Sequence, residues 1–338
     1  MREMLIEWSD RRRCLMAALI LLQAFCACGP KRSGPLAYVS NERDGTITVI
    51  NISTDTVVET IRVGARPRGI HMSPDKRLVY VALSYPSNRR EGEDKIAAID
   101  TSDNKVVAKY DAGTDPEQFV VNLDGTRFYI ANEDAGTASV TDLSSNSVIA
   151  TQVVGLEPEG VALSPDGRWV YVTSESSSTV SVIDTQTNQV TKTFLVGARP
   201  REAAFSPDGA RAYVTAENGG SLSVVDTSEH SVVDTIAFPR GEAQMKPKGV
   251  VVSPDGRLIY VATGRGNTVA VIEAASHKLL HMIPVGQRPW GIALAPDGKK
   301  LYTANGLSND VSVIDTETNQ VVNTIKAGDG PWAIAVKP

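Results

Sequence analysis

Seven prolines in this chain are flanked by residues able to do chemistry. Taken in the order Pro331, Pro67, Pro116, Pro158, Pro200, Pro247 and Pro289, the residue after each is Trp332, Arg68, Glu117, Glu159, Arg201, Lys248 and Trp290. The residue before each is Gly330, Arg66, Asp115, Glu157, Arg199, Lys246 and Arg288. A further set, Glu42, Glu133, Glu175 and Glu217, stands four residues beyond a tyrosine. Neighbouring acids such as Glu117 and Glu159 could act as an acid–base pair or hold a cation. In this order the set falls into acidic, basic and aromatic sectors, as a ligand- or partner-binding rim would. The plainer reading is that these charges only pair with one another, at ~0–1 kcal/mol for each exposed pair, and that the tryptophans cap a core.

Other chemistry finds little support in the sequence. His71 lies between Ile70 and Met72 in an apolar run and could face inward, but no second histidine stands at ligand spacing, so zinc is not expected. His230 and His277 fall in polar turns and are expected to be solvated; His281 lies in a strand. No Ser–His–Asp set follows from spacing. Gly264-Arg265-Gly266-Asn267 opens no helix and is not a phosphate loop. The aspartates of the Ser-Pro-Asp-Gly segments are turn formers rather than calcium ligands. All three cysteines, Cys14, Cys26 and Cys28, lie in the first 28 residues, so beyond them there is no disulfide, thiolate metal site or covalent haem attachment.

The elements that must position these residues are repeats. Turns of the type Ser164-Pro165-Asp166-Gly167 recur, each followed by an apolar run holding a tyrosine. Successive tyrosines from Tyr38 to Tyr302 are spaced by 42, 49, 42, 42, 47 and 42 residues. One unit, 155–197, reads as four short strands with period-two alternation. Four strands per period of this length predict a propeller blade. The C-terminal Pro331–Val336 is an inner strand without its turn, and Tyr38 heads a copy without its inner strand. The two ends complete each other, which gives an all-β, seven-bladed β-propeller over residues 36–338. The residues around the prolines and after the tyrosines would then share one face, at the channel rim. The two longer spacings fit insertions at 84–94 and 238–246 on that same face.

Before the repeats, Arg11–Arg13 and an apolar stretch from Cys14 to about Cys26 read as a secretory signal over 1–27, with 28–35 as a tether. Ala27-Cys28 resembles a bacterial lipobox, which would lipidate Cys28 and anchor the protein to a membrane; ordinary cleavage without lipid is the alternative. A net charge of −5 with no basic stripe argues against nucleic-acid binding.

The segments Ala37–Glu42, Asp115–Phe119, Ile130–Asp134, Arg199–Arg201, Val285–Trp290 and Asn305–Asp315 carry a family resemblance. The chain resembles the YVTN-type bacterial β-propellers, and more closely those associated with PQQ-dependent catabolism. That resemblance implies an exported protein of the periplasm or cell surface, accessory to quinoprotein-type oxidation. It carries no catalytic residues over, and allows PQQ or haem by analogy only. Two functions follow. One is a monomeric binding or scaffold protein that takes a periplasmic partner or a small ligand on the rim. The other is a redox or lyase subunit that uses the channel.

Overall fold

The recurrent turn closes on its own side chains. Ser164 donates its hydroxyl to Asp166 at 2.5 Å, the same carboxylate accepts the Arg168 N–H at 3.0 Å, and Gly167 supplies a φ of 73°. Equivalent serine–aspartate pairs form at Ser73, Ser206 and Ser253. Each turn reverses an innermost strand into the strand that bears the tyrosine.

The computed structural model describes residues 34–64, 66–85, 94–239 and 244–338. In it these repeats form seven four-stranded antiparallel sheets, one per blade. The first blade joins the two ends of the chain: Pro331–Lys337 pairs with Leu36–Asn41, Leu36 opposite Lys337 and Val39 opposite Ile334. The seven-bladed propeller expected from the sequence is therefore the fold, closed as anticipated. The signal segment, Cys28 and most of the 28–35 tether lie outside the described residues, as do 86–93 and 240–243 within the two insertions.

Blades are held to each other by apolar clusters that draw on adjacent sheets, for example Tyr129, Val140, Val161, Val170 and Val172. Each repeat tyrosine is buried at such a seam, and several reach the outer turn of the next blade. Tyr38 donates to Asn104 at 3.0 Å, Tyr129 donates to Asn188 at 2.8 Å, and Tyr171 shares a 2.6 Å hydrogen bond with Nδ1 of His230. Asn104, Asn188 and His230 all have positive φ, so the turn that offers the polar group is itself specified by residue type. The solvated His230 expected from the sequence is corrected here. It is buried between Trp169 and Tyr171, because the polar turn folds down onto the neighbouring blade. His277 is likewise bound, to Asp234, while His281 is exposed.

The inner strands position the site. In five blades the register with the next strand shifts just after the proline, for example between Pro158 and Val161. This irregularity bends the strand. The second residue after the proline is Gly in four blades, Ala333 in one, and Gln118 and Glu202 in the remaining two. Space explains the glycines. A Cβ on Gly160 would lie 2.9 Å from the Cα of Glu202, and one on Gly291 would lie 2.7 Å from the Cα of Ala333. At these glycines the inner strands of successive blades approach too closely for a side chain.

Candidate functional site

The residues before and after the prolines separate by depth. Those after are buried: Arg68, Glu117, Glu159, Arg201, Lys248 and Trp332 are each less than 9 % exposed, with Trp290 half-buried. Those before stay further out. Arg66, Asp115, Glu157, Arg199 and Arg288 all have φ between 39° and 57°, and Glu157 is exposed, held by Ser176 at 2.5 Å. Lys246 donates to Asn218 at 2.7 Å. The ring is thus not a set of surface charges. Its inner members are desolvated, and each has been matched across a blade seam.

Two networks result. Arg68 reaches Glu117, Glu42 at 3.1 Å, Glu133 at 3.4 Å and Asp115 at 3.6 Å, and Arg66 adds Glu42 at 3.3 Å. Asp115, Glu117 and Glu133 are close enough to hold a metal ion, but the Arg68 guanidinium already stands among them. Burial, with Glu159 and Asp115 nearby, pushes Glu133 up to about 7. In the second network Arg201 meets Glu159 and Glu175, with Glu217 at 3.7 Å, and Arg199 meets Glu175 at 2.6 Å and Glu217 at 3.3 Å. The free acid–base pair considered for Glu117 and Glu159 is therefore corrected. Each is committed to an arginine of the neighbouring blade, because close-packed inner strands bring opposite charges face to face.

The aromatic sector is as read. Trp290 and Trp332 stack with centroids 6.4 Å apart and planes at 30°. Lys248 sits 3.4 Å from the centre of the Trp290 ring, with Arg288 at 4.6 Å and Arg201 at 5.8 Å. Burial, reinforced by Arg201, pulls the Lys248 ammonium well below its usual range, against the pull of Glu159 and Glu217.

These residues edge a cavity of about 400 Å³ in the channel. Glu159, Arg201, Lys248, Trp290 and Trp332 line it at the proline end; Ile70, Met72, Val251, Ile292 and Leu294 line it deeper in. His71 faces it, donating from Nε2 to Gln118 at 3.1 Å, and desolvation pulls its pKa down to about 4. Two cavity residues, Gln118 and Glu202, were missed from the sequence. Burial, with Glu159 adding to it, pushes Glu202 up to about 8, so it is mostly protonated at neutral pH. The signal lay one position further along the same alignment, where two units break a run of glycine and alanine.

Comparison with known proteins agrees with this geometry at the level of the fold. Residues 185–338 match the family model of seven-bladed β-propeller lactonases, and residues 36–203 match that of the choice-of-anchor I domain; each covers less than half the chain. No curated protein matches the sequence significantly. Among solved structures, hydrazine synthase of Kuenenia stuttgartiensis is similar at 24 % identity and a TM-score of 0.70, over 80 % of this chain and 89 % of that one. A candidate 6-phosphogluconolactonase of Bacteroides uniformis aligns at 19 % identity and a TM-score of 0.73, over 90 % and 99 %. A protein of Lactobacillus plantarum aligns at 18 % identity and 0.76, again over 90 % and 99 %. At these identities the likeness is one of fold.

Proposed function

We propose that this protein is an exported ligand-binding propeller that takes a small organic molecule into the proline end of its channel. The observation that carries the reading is the cavity of about 400 Å³ with convergent charged and aromatic groups at one end and aliphatic ones below. That is the usual form of a small-molecule pocket, at ~300–1,000 Å³. Export rests on the basic and apolar segments before Cys28, with lipid on Cys28 as the anchor, and the choice-of-anchor match is in keeping with surface attachment. An accessory place in periplasmic oxidation belongs to the same proposal, by the family resemblance.

PQQ and haem fit this cavity poorly. PQQ is a polyanion, and most cations here are already matched by Glu159, Glu175 and Glu217. His71 is the histidine on the cavity lining, and with Nε2 donating to Gln118 it has only Nδ1 left for an iron. A second reading, hydrolysis or elimination in the same cavity, is favoured by Glu202, whose carboxyl still holds its proton near neutral pH and could donate it. The lactonase match agrees with that chemistry.

The test fills the channel. Ala293→Trp lies on the cavity wall beside an apolar cluster between blades, and circular dichroism checks that the fold is kept. Protein isolated from its own cell envelope is denatured and extracted, and the small molecules are identified by mass spectrometry. The parent should release a compound that the filled variant lacks. Identical extracts would sink the binding reading. Turnover of a lactone, lost in Glu202→Gln, would favour the second.

A further inference from the structure

The geometry points to a subsite for a single carboxylate at the Trp290 corner of the cavity, and we propose that the channel ligand is a small monocarboxylic acid with an apolar body. This rests on the channel-binding reading above and adds the chemical class.

Three observations converge. The first is an unmet donor. Arg201 is 7 % exposed; both terminal nitrogens are engaged, and its Nε, which has no acceptor, is enclosed by protein and out of a ligand's reach. A buried donor left without an acceptor is costly, and more so when it is charged. Lys248 is 3 % exposed, and among the described residues its nearest carboxylate is Glu217 at 3.8 Å, beyond hydrogen-bond reach. Both residues line the cavity.

The second is charge. Arg199, Arg201 and Lys248 are matched by Glu159, Glu175 and Glu217 within ion-pair distance. Arg288 stands over the same indole at 4.6 Å and makes no ion pair among the described residues. The nearby Glu202 is protonated near neutral pH and adds little negative charge. The corner therefore holds one guanidinium, Arg288, outside the ion-paired network, which suits a monoanion. The third is the wall. Trp290 provides a flat contact beside these donors, and Ile70, Val251, Ile292 and Leu294 provide an apolar bed beneath them. A carboxylate accepts from several N–H donors at once in such a setting, with its hydrocarbon part turned down the channel.

Benzoate, benzamide and inorganic phosphate distinguish the readings, followed by tryptophan fluorescence and titration calorimetry on the folded chain. Benzoate is expected to bind saturably and change the fluorescence. Benzamide, isosteric but uncharged, should bind at least ~10-fold more weakly, since it cannot take a charge-assisted bond. Arg288→Met is expected to weaken benzoate by a similar factor with an unchanged circular dichroism spectrum, and Lys248→Met should do the same. Arg288 lies outside the ion-paired network, so its variant remains informative if Lys248→Met fails to fold. Equal affinity for benzoate and benzamide would overturn the carboxylate subsite while leaving channel binding standing. Phosphate bound in preference to benzoate would overturn the class. No saturable response to any of the three up to ~10 mM, that is, binding weaker than ~2.7 kcal/mol, would overturn both proposals.

Discussion

Glu202→Gln gives the sharpest test of how the channel is built. Glu202 stands where most units have glycine or alanine, on an inner strand facing the cavity. Burial and the neighbouring Glu159 raise its pKa from 4.5 to about 8. The sign follows from linkage: a carboxyl whose folded pKa is raised favours the fold below its unfolded pKa, and that advantage is lost as pH rises through the folded value. Each pKa unit corresponds to ~1.4 kcal/mol. Relative to the parent, Glu202→Gln should therefore gain stability progressively from pH 4.5, by at most ~3 kcal/mol at pH 6.5 and ~5 kcal/mol above pH 8. Channel water reduces both figures. His71 has its pKa depressed from 6.5 to about 4, so its own contribution is complete above pH 6.5 and lost only as pH falls toward 4. Glu133, raised to about 7, and the lowered Lys248 are common to both proteins, so the difference in urea unfolding between parent and variant from pH 6.5 to 8.5 isolates Glu202. A parent-minus-variant difference that grows across this interval and then levels is the expected result. A flat difference would refute the reasoning, because it would mean that Glu202 ionises as freely folded as unfolded.

Other consequences are open to measurement. Lys76 takes the turn position that glycine holds elsewhere, with φ 61°; Lys76→Gly should stabilise the fold by up to ~1 kcal/mol in denaturant titration, through relief of left-handed strain. Gly291→Ala should cost ~1–3 kcal/mol, since its Cβ would press on Trp332 and Ala333 of the closing strand, with a fall in Tm as the readout. Arg201→Met should cost ~3–5 kcal/mol, because it strands Glu159 as a buried unpaired charge, while Glu175 keeps Arg199; the readout is a lower midpoint of urea unfolding. Cys28→Ser should move the protein from the membrane to the soluble fraction of fractionated cells, whereas unchanged partition would refute lipid anchoring.

The sequence by itself determined the fold, and the reason is repetition. Ser-Pro-Asp-Gly with a buried tyrosine encodes one hairpin with local chemistry, and local chemistry is legible wherever it recurs. The unmatched ends, Tyr38 and Pro331–Val336, further required a closed ring. The aligned prolines also gave part of the cavity's edge, Glu159, Arg201, Lys248, Trp290 and Trp332, although Arg68 and Glu117 do not line it. What alignment could not give is depth and partnership. Whether Arg201 faces water or Glu159 and Glu175 depends on how closely two inner strands approach, which the glycines after the prolines set through contacts between blades. His230 was read as solvated for the same reason: its turn is polar in sequence, and only the packing of one blade on the next puts it under Tyr171. Pairwise distance across seams decided which charges are spent on the scaffold and which, at Trp290, stand outside the ion-pair networks.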